Sequence, residues 1–305
     1  IFITICAASF NCGMEVSMTE WNSYHVFIHD VSYHDRFISD TLKPFLTRKD
    51  NGITHYFFIR YWQGGPHIRL RYITKDANYT KALLDENIQT FFNQYSPSLT
   101  LTKKNYYQNH PFDGNKPHDD ELYWIEDRSI ESIPYIPEFN RYGGKEVMAL
   151  SERLFQKSSD IAMDAVGITS NNLIKKVIIS TDFFHVIQSL LSRESSELLR
   201  KYYSVFWGTF KNNQIDYDKL LENFKLIYEK RLTKNHPLEE EYYKEIFLYF
   251  QDKINAIKAI NPAFNMNYLL SSHIHMFNNR IGLRSDFEHL IPRISEVMKV
   301  GMKNG

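Results

Sequence analysis

The stretch FFIRYWQGGPHIRLRYI, residues 57–73, decides the fold of the first half of the chain. Residue types alternate on both sides of a Gly-Gly-Pro turn at 64–66, a pattern typical of two β-strands joined as a hairpin. On the second strand His67, Arg69 and Arg71 share one face, and apolar side chains occupy the other. Because unpaired cations are costly to bury, this face is predicted either to be solvated or to hold an anionic ligand.

The residues around the hairpin predict a mixed layer of strands and helices. Apolar residues at helical spacing precede the hairpin and follow it, and strand-like alternation lies outside them. The further elements predicted here are a strand at 22–29, a helix at 33–47 kinked at Pro44, a helix near 79–94, and strands within 98–138, at 99–107 and 121–130, around a mobile polar surface loop at 109–120.

From about residue 143 the pattern becomes helical. The predicted helices span 144–166, 172–192, 195–212, 216–230, 239–258, 264–282 and 285–301. The fold class is therefore predicted as α+β, with a mixed sheet layer containing hairpins in the N-terminal half and a helical layer in the C-terminal half. We expect one domain at 20–305, made of a sheet-rich part at 20–140 and a helical part at 141–305, preceded by a tail at 1–19.

Composition excludes some classes of function. Lys plus Arg and Asp plus Glu both number 36, so the formal net charge is zero. This balance argues against a general nucleic-acid binder, which usually carries a basic excess. Aromatic residues make up 15% of the chain, which fits both a packed core and a groove for an extended peptide.

The cysteines and apolar runs bear on compartment and metal content. Cys6 and Cys12 form neither a CxxC pair nor a Cys/His cluster, which argues against zinc, iron–sulfur and disulfide-stabilised classes. No apolar run reaches the ~20 residues of a membrane span. We therefore expect a cytoplasmic protein without a membrane span.

Two later segments add polar groups of a chemically active kind. Arg141-Tyr142 precedes a Gly-Gly pair and a predicted helix start, whose free N–H groups favour anions. The segment 271–283 places His273, His275 and Arg280 in a helical pattern. Residues two apart on a helix point to different sides, so an acid/base or polar-network histidine is favoured over a metal ligand.

The hairpin, the RYGG turn and the IHMFNNRI helix, in this order, resemble the glutamate-elimination domain of class I lantibiotic dehydratases. The same domain type exists as free-standing proteins of thiopeptide-type bacteriocin biosynthesis. The resemblance covers roughly residues 20–305. It implies a lyase that removes glutamate from glutamylated Ser or Thr of a precursor peptide, leaving dehydroalanine or dehydrobutyrine.

The resemblance also implies which residues act. The glutamate-site arginines of the family fall on Arg71 and Arg141, and its essential histidine falls on His275. Arginine suits carboxylate binding through forked hydrogen bonds, and histidine suits proton exchange near neutral pH. The neighbouring residues predicted to bind substrate are Arg60, His67, Arg69, Tyr142, Asn279 and Arg280. Neither a metal nor another cofactor is required.

The expected partners are a ribosomally made precursor peptide, with a leader and a Ser/Thr-rich core, and a separate tRNA-dependent glutamylation protein. Direct contact with nucleic acid is not expected. Two alternative functions remain open. One is a thiopeptide pyridine synthase, which joins two dehydroalanines in a formal [4+2] cycloaddition and releases the leader peptide. The other is a non-catalytic module that binds precursor peptide along a sheet edge.

Overall fold

The computed structural model describes residues 21–98, 100–108, 110, 118, 120–233 and 237–297, with the backbone alone for 237–240. The N-terminal tail at 1–19, with Cys6 and Cys12, and most of the loop at 109–120 lie outside these residues. The described chain has a small sheet in its N-terminal half and helices in its C-terminal half, so the α+β prediction is confirmed.

The sheet is antiparallel, with the strand order β2-β3-β1-β4. The strands are β1 (Asn22–Phe27), β2 (Ile53–Tyr61), β3 (His67–Thr74) and β4 (Ile130–Glu131). The predicted hairpin is confirmed as β2 and β3, with Gly64 and Gly65 at φ 89° and 109° in the turn. Such angles favour glycine because it has no Cβ.

The helices of the N-terminal half flank this sheet. They are α1 (His34–Phe37), a π-helical turn (Ile38–Leu42), α2 (Lys43–Thr47), α3 (Ala77–Gln94) and α4 (Lys103–Gln108). The irregularity predicted at Pro44 lies earlier, at the π-helical turn that precedes α2. Pro44 itself lies in the first turn of α2, where its missing N–H costs little.

The prediction of strands within 98–138 was largely wrong. The segment predicted as a strand at 99–107 contains α4, and 121–130 contributes only an isolated bridge between Gly64 and Trp124 and the first residue of β4. Aromatic contacts decide this conformation, because Tyr106 and Tyr107 pack against Trp124 at ring distances of 5.7 and 6.2 Å. Tertiary packing thus overrides the β-propensity of these residues.

The helical layer follows the predicted pattern, with a break only in its last element. It contains α5 (Met148–Thr169), α6 (Leu173–Gln188), α7 (Arg193–Gly208), α8 (Tyr217–Leu232), α9 (Pro237–Ile260), α10 (Met266–Ile281), α11 (Ser285–Glu288) and α12 (Ile291–Ser295). The helix predicted at 285–301 is thus two short helices up to residue 295.

Side chains of the helical layer pair with the outer edge of β2. The Asn279 side chain accepts a hydrogen bond from the Arg60 N–H and donates one to the Arg60 carbonyl, both at 2.9 Å. Arg280 Nε donates to the Phe58 carbonyl at 2.8 Å, and the Phe58 N–H donates to Ser159 Oγ at 3.3 Å. These bonds satisfy backbone groups that an edge strand otherwise leaves open, and they fix α10 against the sheet.

Among the buried histidines of the described residues, His25, His34, His67 and His273 have the most strongly lowered pKa values. Burial is the largest cause of a pKa that falls from 6.5 to about 3 in His25, His34 and His273, and to about 2 in His67. The imidazoles are therefore neutral in the folded protein over the whole range in which free histidine titrates.

We expect the protein to lose stability as pH falls from 6.5 towards 3. Below 6.5 the unfolded chain binds protons on these histidines and the folded chain does not, so each lowers the free energy of unfolding by about 1.4 kcal/mol per pH unit. Urea denaturation at pH 7.5 and 5.5 measures this. In His273→Leu, the number of extra protons that the unfolded state binds relative to the folded state should fall by about one. An unchanged pH dependence in this variant would contradict the explanation.

Candidate functional site

The face of β3 that carries the cationic residues is covered, so it is not a solvated sheet face. Arg69 lies opposite His25 of β1 and Ile59 of β2, and Arg71 lies opposite Phe57. These side chains form the floor of a cavity of about 270 Å³, which we call the arginine cavity. Its remaining wall consists of Tyr61, the segment 133–136, Glu138, Tyr142, Phe155, Met276 and Arg280.

Arg71 is the distinctive group of the arginine cavity. Only 6% of the residue is exposed, and its Nε and Nη1 have no hydrogen-bond partner among the described residues. The guanidinium carbon lies 5.2 Å from the Tyr135 ring and 5.6 Å from the Phe57 ring. Burial, followed by the charge of Arg69, lowers the pKa of Arg71 to about 10. An anion bound here would supply the missing partners.

Arg69 is held in place by its neighbours. Its guanidinium carbon lies 3.3 Å from the centre of the Tyr61 ring, and its Nε donates to His67 Nε2 at 3.1 Å. His67 is neutral, so the proton on its Nδ1 is donated to the Gly65 carbonyl at 2.8 Å. His67 therefore orients Arg69 through this hydrogen bond and does not itself line the cavity.

Arg141 lies in a pocket of about 480 Å³ that shares Glu138 with the arginine cavity, and it does not line the arginine cavity itself. Its Nη1 is 3.3 Å from Glu138 Oε2, and Glu138 lines the cavity. Its Nε donates to Ser272 Oγ of α10 at 3.3 Å. Gly143 follows with φ 96°, and a Cβ there would lie 2.7 Å from Val147 Cγ2. The glycine is thus required by the turn that places Arg141 between Glu138 and α10.

His275 lies on α10 and does not line the arginine cavity. Its Nδ1 is 2.8 Å from Glu288 Oε1, and its ring stacks on Trp207 at 4.3 Å. On the same helix Ser272, which binds Arg141, and Met276, which lines the cavity, are four residues apart and share a face, and His275 directly precedes Met276. Of the three predicted catalytic residues, Arg71 alone lines the arginine cavity.

Glu288 fixes the orientation of the His275 ring. This carboxylate is 1% exposed, and its Oε2 accepts hydrogen bonds from Asn278 Nδ2 at 2.9 Å and from the Tyr203 hydroxyl. The bond to His275 Nδ1 leaves Nε2 as the ring nitrogen available for proton transfer, an arrangement known from other histidines oriented by carboxylates.

The other predicted substrate-binding residues occupy different places. Tyr142 and Arg280 line the arginine cavity, and Arg280 also binds the edge of β2. Asn279 uses its amide on the β2 backbone. The Arg60 side chain forms an ion pair with Asp35 at 2.6 Å and faces a separate cavity. Asn279 and Arg60 therefore do not contribute to the arginine cavity.

Sequence reasoning missed His25, Tyr135, Glu138 and Glu288. His25 is 1% exposed and both of its ring nitrogens lack partners among the described residues. A signal for His25 existed in the alternation of β1, which puts it on the face of Arg69 once the two strands pair. Glu138 precedes Arg141 by three residues, a spacing at which side chains of opposite charge can pair.

Neither a metal-binding group nor a membrane-spanning helix occurs in the part of the chain that the structure describes. Within it, no group of three or more His, Cys, Asp or Glu side chains is placed to hold a metal ion. No helix of the described residues combines the length and apolar character needed to cross a membrane.

Comparison with known proteins identifies a matching family model and a curated relative. The family model described as lantibiotic biosynthesis dehydratase C-term matches residues 21–294. The epidermin biosynthesis protein EpiB of Staphylococcus epidermidis is 28% identical over 305 residues, which covers 93% of this chain and 26% of EpiB. The chain thus spans about a quarter of the length of this curated relative.

Three solved structures share the fold. The pyridine synthase TbtD from thiomuracin biosynthesis has a TM-score of 0.69 at 14% identity, covering 94% of this chain and 100% of TbtD. The tRNA-dependent lantibiotic dehydratase MibB from Microbispora sp. 107891 has a TM-score of 0.57 at 14% identity, covering 99% of this chain and 29% of MibB. TsrL has a TM-score of 0.59 at 13% identity, covering 93% and 95%.

At these identities the solved structures show the fold alone, and the family follows from the sequence match. That match extends over almost all of the described residues. The protein therefore belongs to the family of lantibiotic biosynthesis dehydratase C-terminal domains.

Proposed function

We propose that this protein is a carbon–oxygen lyase that removes glutamate from glutamylated Ser or Thr of a ribosomal precursor peptide. The products are free glutamate and a peptide containing dehydroalanine or dehydrobutyrine. The observation that carries the proposal is the buried guanidinium of Arg71, which lines the arginine cavity and has two nitrogens without a hydrogen-bond partner among the described residues. A carboxylate matches the forked geometry and the charge of this group.

The reaction is a β-elimination. A base takes the Cα proton of the esterified residue, the Cβ–O bond breaks, and its electron pair leaves with the glutamate carboxylate. The Cα–Cβ double bond forms from the electrons of the former C–H bond. Negative charge develops on the peptide carbonyl and on the leaving carboxylate, so cationic hydrogen-bond donors should lower the barrier.

We assign Arg71 and Arg141 to a clamp on the glutamyl group and the leaving carboxylate. Arg71 lies in the floor of the arginine cavity, Arg141 lies in the neighbouring pocket, and Glu138 is near both guanidinium groups. Arg69 adds a further cation that is fixed by Tyr61 and His67. The donors are thus held in position before substrate binds, which is the condition for strong electrostatic stabilisation.

His275 is the proposed acid/base. In this proposal the peptide extends from the arginine cavity past Ser272 to the imidazole on the same helix face. Glu288 orients the ring through Nδ1, and Trp207 covers one face of it. The Nε2 atom then exchanges the proton with substrate. No step in this scheme uses a metal or a redox cofactor.

The partners follow from the same proposal. The substrate is a precursor peptide whose Ser or Thr residues have been glutamylated by a separate tRNA-dependent protein. MibB is described as a tRNA-dependent dehydratase, and this chain corresponds to 29% of its length. In this proposal a tRNA-dependent protein loads the glutamate, and the domain described here removes it.

A second candidate function is pyridine synthesis by formal [4+2] cycloaddition. The fold match to TbtD, which covers all of that pyridine synthase, supports keeping it. The unpartnered Arg71 favours elimination, because joining two dehydroalanines releases no carboxylate. A peptide that already contains dehydroalanines and cyclises on incubation with the protein would favour the second function.

The first test is mass spectrometry of the glutamylated cognate peptide after incubation with the protein. We expect loss of glutamate to leave a dehydrated residue, and we expect Arg141→Ala to abolish that loss because one half of the clamp is missing. Circular dichroism controls for folding. An intact glutamyl ester with folded wild-type protein would overturn the proposal.

Arg71→Met separates function from stability. Removing an unpartnered buried charge should leave the thermal unfolding temperature unchanged or raise it, while elimination should slow by 100-fold or more. The matched variant Arg280→Met should lower the unfolding temperature, because Arg280 binds the Phe58 carbonyl and Ser159. Wild-type elimination by Arg71→Met would refute the role of Arg71.

Glu288→Gln tests whether this carboxylate acts through His275. We expect elimination to slow about 10- to 100-fold in Glu288→Gln and further in His275→Ala. The double variant should be no slower than His275→Ala, because residues that act as a unit are not additive. Single-turnover rates measure all three; fully additive losses would show that Glu288 does not act through His275.

A further inference from the structure

A second cavity, of about 690 Å³, adjoins the arginine cavity. Tyr61 lines both, so the two share a wall. The charged residues in the lining of the second cavity are Arg60, Lys176 and Arg284, and no carboxylate is present among its described lining residues. The second cavity is therefore electropositive, with aromatic wall surface from Trp62 and Tyr106.

The buried charges at the second cavity do not balance. Arg60 Nη2 and Lys176 Nζ both contact Asp35, at 2.6 and 2.8 Å, and the side chains of all three are at most 13% exposed. The neighbouring His34 is neutral, with a pKa of about 3. Arg284 has its own partner in Asp286. Two buried cations thus share one carboxylate, which leaves an excess of one positive charge.

Both cations keep hydrogen-bond donors that the protein does not use. Arg60 donates through Nε to the Arg280 carbonyl and through Nη2 to Asp35, and Nη1 has no acceptor among the described residues. Lys176 donates to Asp35 alone. Burial, followed by the charge of Arg60, lowers the pKa of Lys176, and the hydrogen bond and charge of Asp35 act in the opposite direction.

Gly282 packs directly against both cationic groups. A Cβ at this position would lie 2.9 Å from Arg60 Cζ, 3.0 Å from Arg60 Nη1 and 3.1 Å from Lys176 Nζ, so the two cationic groups lie side by side in the lining of the second cavity. A carboxylate bound in the cavity within reach of both would restore the charge balance of the cluster.

We propose that the second cavity binds a carboxylate of the peptide substrate, carried by an Asp or Glu side chain or by the chain terminus, close to the residue processed in the arginine cavity. This inference rests on the proposed function for the peptide nature of the ligand. The shared wall at Tyr61 lets one extended peptide occupy both cavities, and the aromatic side chains offer surface to its apolar neighbours.

Trp62 gives a direct assay of binding. The protein carries Arg71→Ala and Arg141→Ala, so that the arginine cavity does not contribute, and it is titrated with N-acetyl-tyrosyl-glutamate amide and with the glutamine counterpart. We expect saturable change in tryptophan fluorescence with a Kd at least tenfold lower for the glutamate probe. The glutamine probe with a free C-terminal carboxylate distinguishes a side-chain source from a terminal source. Trp62→Phe should remove the signal.

Lys176→Met should weaken binding of the carboxylate probe about tenfold. This variant leaves Arg60 and Asp35 as a balanced pair, and Lys175→Met is the matched control because Lys175 is exposed and binds the Ile168 carbonyl. Equal affinity for the glutamate probe and the amidated glutamine probe would overturn the inference. Unchanged affinity for the glutamate probe in folded Lys176→Met would also overturn it. Carboxylate binding without elimination by the wild type would refute the proposed function alone, and elimination without such binding would refute this inference alone.

Discussion

The pairing of α10 with the free edge of β2 is the constraint on which the site depends. Asn279 and Arg280 supply the hydrogen bonds that a further strand would otherwise make. The next strand in the sheet, β3, carries Arg71, and α10 carries His275. The same few bonds therefore set the distance between the strand that carries Arg71 and the helix that carries His275, and they also protect the edge from pairing with another chain.

Unsatisfied charge is the second organising feature. Most buried polar groups in proteins are paired, yet Arg71 is buried beside open space, and Arg60 and Lys176 share a single partner. Such groups lower stability unless a ligand completes them, and both of our binding proposals rest on them. The protein separates these cations with aromatic surface, namely Tyr61 between the two cavities and Tyr135 beside Arg71.

The sequence predicted what local periodicity determines. Period-two alternation identified the hairpin and the shared face of Arg69 and Arg71, and helical spacing identified α10 with His275. Strand pairing was not readable, so His25 was missed although it lies opposite Arg69. Arg60 was predicted to bind substrate, and its position in the alternation of β2 turns it away from the arginine cavity, towards Asp35 and the second cavity. Segment 99–107 has strand-like composition, and its helix depends on contacts with Trp124 that only the folded chain reveals.

The wall of the arginine cavity at 133–138 has no regular secondary structure, whereas its floor is a hydrogen-bonded sheet. Substitutions in this wall would reshape the space above Arg71 without changing strand register, so selection could alter the accepted substrate while the fold stayed intact. Proteins with only 13–14% identity to this chain do retain the fold, and one of them is named a pyridine synthase and another a dehydratase. A hydrogen-bonded floor combined with a wall that lacks regular secondary structure is a physical basis for such divergence of chemistry.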